Sequence, residues 1–342
     1  MYAKQDQLAG LQVLRAVAAL MVVLNHALRE TNAPDWLTTL GPAGVDIFMV
    51  ISGFVMIYVT FPDGKPVETP GSFFFKRLSR IAPLYWLVCG FTLTMMAFGF
   101  YQHLNPDVFR SLFLLPTEHR ISIVSWTLVY EMYFYSLFAL ALFTRSRLGV
   151  FISTTAAIAT LLVIGRYFPD ATTADYLTRP VALEFVFGMA LALIYQHRPG
   201  VFRYARHLWI VGFALMAFSQ FTLSPYYTQG WARIWGWGLP SILIVASMLP
   251  MLHARNRAER AAVALGDASY ALYLTHPIVV VAFDWINRHT SAFSGLAWPA
   301  IGLALTIISV GVGVATYHIV ELPLVRGVRR LGRAAQTQLK TA

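Results

Sequence analysis

Ten long apolar runs, separated by short polar connections, make up most of this 342-residue chain. A helix needs about 20 mostly apolar residues to cross the hydrocarbon of a bilayer. The pattern therefore predicts ten transmembrane helices, at residues 8–28, 44–60, 81–101, 123–143, 148–168, 181–197, 207–223, 234–252, 269–286 and 298–320. No connection is long enough for a soluble domain, so we predict one integral membrane domain over residues 1–342 that ends in a basic tail, 326–342.

Composition supports this prediction. Hydrophobic residues make up 57% of the chain and charged residues 12%, whereas soluble domains carry about 25% charged residues. The single cysteine, Cys89, excludes an intramolecular disulfide and a cysteine-based metal cluster. The sequence is therefore typical of an all-α polytopic membrane protein.

The net charge of +10 would suggest a nucleic-acid partner in a soluble protein, but here the basic residues flank apolar runs. Cytoplasmic loops carry an excess of Lys and Arg. When the connections are assigned alternately to two sides, 18 of the 26 Lys and Arg residues fall on the side of the N-terminus and 7 on the other, with Arg15 inside the first run. The first side includes five residues near the termini: Lys4, Arg329, Arg330, Arg333 and Lys340. We therefore predict that both termini are cytoplasmic and that no nucleic acid is bound.

Arg15 and His26 are the first candidate functional residues, because a charged group near the bilayer centre costs at least about 2.5–3.5 kcal/mol. They are eleven residues apart in the first run. Eleven helical residues return to nearly the same direction and rise about 16 Å, so both side chains share one face, with Arg15 toward the cytoplasm. Alternatively, Arg15 snorkels to the interface and His26 packs against a neighbour.

Carboxylates near the ends of other runs are further candidates. Asp46 begins the second run, where the helix dipole favours an acid, within the segment GVDIFMVISGF, whose Ser52 and Gly53 allow close helix contact. Glu184 and Glu321 lie near run ends and are weaker candidates.

Two arginines, a glutamate and a histidine complete the set. Arg77 and Arg80 share a helix face at the predicted entrance of the third run, where they either anchor the helix or grip a phosphorylated ligand. Glu131 has no cation near it in sequence, so it is protonated or paired across helices. His276 precedes Pro277, which disturbs the local helix, and an inter-helix hydrogen bond at that kink is its alternative role.

The order of these segments resembles that of the acyltransferase 3 family of membrane O-acyltransferases, over residues 8–325. The resemblance is carried by Arg15-x10-His26, GVDIFMVISGF at 44–54, Arg77-x2-Arg80 leading into IAPLYW, WTLVYEMYFY around Glu131, SYALYLTHP at 269–277 and ELP at 321–323. The chain looks most similar to the branch that acetylates bacterial exopolysaccharides.

The resemblance implies transfer of an acyl group, usually acetyl from acetyl-CoA as co-substrate, to a hydroxyl of a glycan or lipid-linked saccharide at the bacterial inner membrane. It implies no bound cofactor and no metal. Arg15, Arg77 and Arg80 would bind the acyl-CoA, and His26 would be the general base, since imidazole titrates near neutral pH. Glu131 or Asp46 would orient that imidazole. The remaining expected supporting residues are Ser52, Tyr273 and His276.

Two other functions compete with this hypothesis. A transporter or flippase of a glycan or lipid-linked sugar would also place charges inside the membrane, but it predicts inverted repeats or paired broken helices, and no repeat is visible. A glycosyltransferase for lipid-linked sugars would require an acidic motif in the first outer loop, which offers only Glu30 and Asp35.

Overall fold

The computed structural model describes residues 8–31, 33–101, 105–223, 230–290, 293 and 295–328, and all regular secondary structure within them is helical. The helices of ten or more residues are α1 Ala9–Arg29, α2 Ala43–Thr60, α3 Pro70–Ala97, α4 Trp126–Ala141, α5 Arg147–Ile164, α6 Leu183–His197, α7 Leu208–Thr222, α8 Leu239–Met248, α9 Arg257–Asp267, α10 Ser269–Thr290 and α11 Trp298–Thr316. Short α-helices are Asp35–Thr38, Val108–Leu112, Ala171–Thr178 and Trp231–Arg233. The 3-10 segments are Ile123–Ser125, Leu142–Thr144, Gly165–Tyr167, Pro180–Ala182 and Pro199–Tyr204, and π-helical turns occupy Ile234–Gly238 and Tyr317–Glu321.

Each of the ten predicted runs is helical, which confirms the all-helical, multi-pass prediction. Among the described residues, eight helices are long and apolar enough to cross a membrane: Ala9–Arg29, Asp35–Thr60, Pro70–Ala97, Ile123–Thr144, Arg147–Tyr167, Pro180–His197, Ser269–Thr290 and Trp298–Val328. The other two predicted runs are α7, with 15 residues, and α8, which follows a π-helical turn. Ten crossings and cytoplasmic termini remain predictions, and the basic residues Lys4, Arg329, Arg330, Arg333 and Lys340 lie outside the described residues.

The third helix begins well before the predicted run at 81–101. The Thr69 side chain caps α3 by accepting a hydrogen bond from a first-turn amide, and a proline occupies the first helical position, two features that start helices. The helix ends just before Gly99, which has φ of +81°. Arg77 and Arg80 are therefore helical residues of α3 that come before the predicted run, and they line an internal cavity of the bundle. Their position at the cytoplasmic entrance of the membrane span remains a prediction.

Helices α2 and α6 pack closely through two glycines. A Cβ atom on Gly53 would lie 2.0 Å from the Phe185 carbonyl oxygen, and one on Gly188 would lie 2.0 Å from the Val50 carbonyl oxygen. Such approach is possible only where a side chain is missing, which is how small residues drive helix association in membranes. The two helices run antiparallel, since the earlier residue of α2 meets the later residue of α6.

Helix α1 lies at the centre of the bundle and packs on α2, α9, α10 and α11. Its Ala19 and Val23 pack against Leu272 of α10, and Ala27 packs against Phe283 further along the same helix. Helices α1 and α10 therefore run parallel and in contact. This contact aligns the polar side chains of the two helices in the interior.

Candidate active site

A polar cavity lies among α1, α2, α3, α4 and α10. It consists of two adjoining chambers with volumes of about 100 and about 70 Å³, each large enough for several waters. The first, called the arginine chamber, is lined by Arg15, Phe48, Ile51, Ser52, Val55, Met56, Arg77, Arg80, Ile81, Glu131, Tyr135 and Tyr270. The second, called the tyrosine chamber, is lined by Arg15, Val45, Phe48, Met49, Thr127, Leu128, Glu131, Ser269, Tyr270 and Tyr273. Arg15 and Glu131 line both chambers and mark their junction.

The arginine chamber gathers the three arginines expected from the sequence. Glu131 makes no hydrogen bond or ion pair with any described residue, but it interacts electrostatically across the cavity with Arg80, Arg15 and Arg77. Glu131 therefore faces arginines of other helices across the cavity without forming a direct ion pair. The guanidinium of Arg77 lies 5.3 Å from the centre of the Phe73 ring.

Two further features describe the charge balance of this chamber. Asp267 and Glu321 act electrostatically on Arg15 and Arg80, and Glu68 and Glu131 act on Arg77, so each of the three arginines has acids around it. The Nε of Arg77 is buried and has no hydrogen-bond partner among the described residues. A buried donor without a partner is costly.

Ser52 lies in the wall of the same chamber, where the sequence predicted a supporting residue. Its hydroxyl is 3.5 Å from the hydroxyl of Tyr135, which also lines the chamber. The Ser52–Tyr135 contact joins α2 to α4 beside the arginines.

The tyrosine chamber ends at Tyr273, which separates it from a pair of histidines. The Tyr273 hydroxyl donates to the Val124 carbonyl at 3.1 Å and lies 3.0 Å from the hydroxyl of Thr127. On its other side, the Tyr273 ring centre is 5.9 Å from that of His276. Tyr273 therefore forms the boundary between the cavity and the histidines.

The histidine pair consists of His26 from α1 and His276 from α10. Nε2 of His276 is 3.3 Å from Nδ1 of His26, and the ring centres are 5.0 Å apart. Each Nδ1 also faces the carbonyl one turn earlier in its own helix, at 2.9 Å from Val22 for His26 and at 3.2 Å from Leu272 for His276. Arg15 and His26 thus both project from α1 toward α10, in agreement with the predicted common face.

Neither predicted carboxylate contacts His26, which corrects the expected acid–histidine pair. Glu131 lies among the arginines, and Asp46 forms a buried ion pair with Arg233. The Arg233 Nε and Nη2 donate to the two Asp46 oxygens at 2.9 and 2.7 Å, and both side chains are almost fully buried, at 3% and 0% exposure. Asp46 is therefore occupied by a structural partner.

The sequence pattern did not predict the cluster around this ion pair. The Arg233 guanidinium lies 4.9 Å from the ring centre of Trp237 and 5.5 Å from that of Trp126. Glu184 is fully buried in the same cluster, where it interacts with Asp46 and Arg233 although neither of its oxygens has a hydrogen-bond partner. Two features of the sequence could have indicated this pair. An acid inside the second apolar run needs a cation as partner, and Arg233 directly precedes the eighth run, at 234–252.

The fold and the cavity define the class of protein. It is a multi-pass helical membrane protein with an internal charged cavity and a pair of histidines on the far side of Tyr273 from that cavity. Comparison with known proteins then specifies the family. Residues 8–318 match the family model described as an acyltransferase domain, of the acyltransferase 3 type. The chain belongs to this family and is an acyltransferase, as its sequence motifs predicted.

Three relatives are similar over most of the chain. The exopolysaccharide production protein ExoZ of Rhizobium meliloti is 32% identical over 92% of this chain and 100% of its own length. The acyltransferase MdmB of Streptomyces mycarofaciens is 25% identical, over 94% of this chain and 92% of its own length. The putative peptidoglycan O-acetyltransferase YrhL of Bacillus subtilis is 24% identical over 95% of this chain, which covers 56% of that longer protein. No solved structure matches the chain.

The Asp46–Arg233 pair generates a stability prediction. Asp46→Asn leaves a buried guanidinium without its hydrogen-bonded anion, and breaking a buried pair costs about 3–5 kcal/mol. We expect a clear drop in the thermal unfolding midpoint of the purified protein in detergent, and recovery of most of it in the double variant Asp46→Asn/Arg233→Gln. The i,i+4 pair Asp284–Arg288, in which Asp284 is partly exposed and Arg288 is exposed, supplies the control, since Asp284→Asn should change stability much less. An Asp46→Asn protein that is as stable as the original but inactive would instead assign Asp46 a chemical role.

Proposed function

We propose that this protein is an O-acyltransferase of the bacterial inner membrane that moves an acetyl group from cytoplasmic acetyl-CoA to a hydroxyl of a surface or exported polysaccharide. The observation that carries the proposal is the continuity of the site. Arg15, Arg77 and Arg80 surround one chamber, and the adjoining chamber ends at Tyr273, directly against the His276–His26 pair.

The names of the relatives support the reaction type and the acceptor class. YrhL is named a putative peptidoglycan O-acetyltransferase, and ExoZ is named an exopolysaccharide production protein. Both names concern cell-surface glycans. For this chain we therefore propose a glycan hydroxyl, on a polymer or on a lipid-linked saccharide, as acceptor, and membership in an acyltransferase family favours catalysis over the transporter alternative.

The donor site follows from the charges. Coenzyme A carries phosphates, and guanidinium groups bind phosphate through two parallel hydrogen bonds. Arg77, with its unsatisfied Nε, and Arg80 are proposed to hold the phosphates, while Arg15 lies deeper, at the junction with the tyrosine chamber. The excess of basic residues on the N-terminal side supports a topology of ten crossings with this end of the cavity facing the cytoplasm.

The chemical step is proposed to use His26 as general base. Nε2 of His26 takes the proton of the acceptor hydroxyl while its oxygen attacks the thioester carbonyl carbon. The carbon–sulfur bond then breaks, and the coenzyme A thiolate takes the proton from His26, so that an ester and a free thiol are formed and the base is regenerated. No other reactant is required.

Donor binding must widen the cavity. Chambers of about 100 and 70 Å³ hold waters rather than an acyl-pantetheine arm, and Tyr273 closes the route to the histidines. We therefore propose that the arm enters between the two chambers and displaces the Tyr273 ring from its contact with His276.

The first test removes the proposed base. His26→Ala should lower the rate of acetyl transfer from labelled acetyl-CoA to an isolated surface glycan by about 10²–10⁴-fold, with little change in acetyl-CoA binding, because the arginines are untouched. The measurement is turnover by purified protein in detergent, with donor binding followed separately by calorimetry. His289→Gln is the matched control, since His289 lies exposed at the end of α10. Near-normal turnover by His26→Ala would rule out this mechanism.

The second test concerns the donor arginines. Arg80→Lys keeps the charge but lacks the planar fork, so we expect KM for acetyl-CoA to rise about tenfold or more while the protein remains inserted and folded. Arg257→Lys is the control, because Arg257 is an exposed residue at the start of α9 and makes the same exchange outside the cavity. Equal KM values for the two variants would mean that Arg80 only anchors its helix.

A further inference from the structure

We infer that His276 is a positioning residue that accepts a hydrogen bond from Nδ1 of the proposed base, His26, and so acts with the Val22 carbonyl to hold that ring in the tautomer with its proton on Nδ1. The inference rests on the proposed function, because it concerns how His26 is prepared to act. It assigns to a second imidazole the role that a carboxylate plays beside the histidine of a catalytic triad.

The tautomer of His26 follows from its neighbours. The Val22 carbonyl oxygen, 2.9 Å from Nδ1, can only accept a hydrogen bond, so Nδ1 of His26 carries a proton. In a neutral imidazole the other nitrogen, Nε2, then has the free lone pair. Nε2 makes no hydrogen bond to any described residue, so the base is left available to a substrate hydroxyl.

The same reasoning fixes the state of His276. Its Nδ1 lies 3.2 Å from the Leu272 carbonyl oxygen and therefore carries a proton. Its Nε2 is consequently an acceptor, and the atom that it faces, at 3.3 Å, is the protonated Nδ1 of His26. The Nδ1–H of His26 is thus shared between one acceptor on its own helix and one on α10.

An imidazole suits this place better than a carboxylate. His276 is completely buried, and an ionised acid within the membrane is expensive unless it is paired, whereas a neutral imidazole can accept a hydrogen bond without carrying charge. When His26 takes the proton of the acceptor, its Nδ1–H···Nε2 bond to His276 becomes charge-assisted and strengthens in the apolar interior. The arrangement therefore stabilises the protonated His26 that the reaction forms.

The packing of the two helices holds this geometry. Ala19 and Val23 of α1 contact Leu272 on one side of the pair, and Ala27 contacts Phe283 on the other. His276 is followed by Pro277, which has no amide hydrogen. The Tyr273 carbonyl oxygen therefore lacks the hydrogen bond that the amide of residue 277 would donate in a regular helix. The pair therefore lies at a fixed contact between α1 and α10 rather than on a mobile loop.

The test compares replacements of His276 that differ in whether an acceptor remains. His276→Gln can place its amide oxygen near the position of Nε2, whereas His276→Asn is too short and His276→Leu has no acceptor. We expect kcat to fall about 10–100-fold in the Asn and Leu variants, with KM for acetyl-CoA unchanged, and to recover at least partly in the Gln variant. His289→Gln controls for loss of a histidine on the same helix that likewise bonds the carbonyl one turn earlier.

The outcomes separate this inference from the proposed function. Unchanged kcat in the Asn and Leu variants, or the same loss in all three with raised KM and a lower unfolding midpoint, would overturn the positioning role and leave a packing role. If His26→Ala is inactive while His276→Leu is fully active, only the present inference fails. If His26→Ala is itself active, the proposed mechanism fails independently of His276.

Discussion

The cost of placing ionisable side chains in hydrocarbon organises the interior of this protein. A charge in the membrane must be paired, hydrated or neutral, and the bundle uses each of these solutions in a different place. Asp46 and Arg233 form a dry, paired contact between two tryptophan rings. The arginines and Glu131 surround a cavity with room for several waters, and the two histidines, which can stay neutral, contact each other and backbone carbonyls.

These three polar sites have different consequences for function. The Asp46–Arg233 pair ties α2 to the helical segment before α8. The arginine chamber brings three guanidinium groups together, which is the property expected of a site for an anionic donor. The histidine pair lies apart from those charges, behind Tyr273. In the proposed function, the reacting hydroxyl and the phosphates of the donor would therefore be recognised in separate environments, as a donor with a long arm between its phosphates and its thioester requires.

The sequence predicted the helices well, because each must be apolar over most of its length, and it placed Arg15 and His26 on one face from their spacing alone. Helix ends were predicted less well. Hydropathy does not report where Thr69 caps α3, so the predicted run begins at residue 81 although the helix begins at Pro70. The partners of the charged residues could not be predicted either. Asp46 and Arg233 are 187 residues apart, and the sequence around either residue does not indicate that the other is its partner. The same holds for His26 and His276, which meet only because α1 and α10 pack in parallel.

The basic loops predict that the Arg15 end of α1 faces the cytoplasm and hence that the His26 end lies toward the opposite side. We therefore propose that one site takes its donor from the cytoplasm and its acceptor from the other side, which is tested most directly by sided transfer in sealed proteoliposomes. A water-soluble glycan acceptor is enclosed in the lumen, and acetyl-CoA is supplied only outside, with an enclosed dye to verify that the vesicles do not leak. The account predicts that acetylated glycan accumulates in the lumen and that free coenzyme A appears outside. Transfer that occurs only when donor and acceptor share one compartment would contradict it.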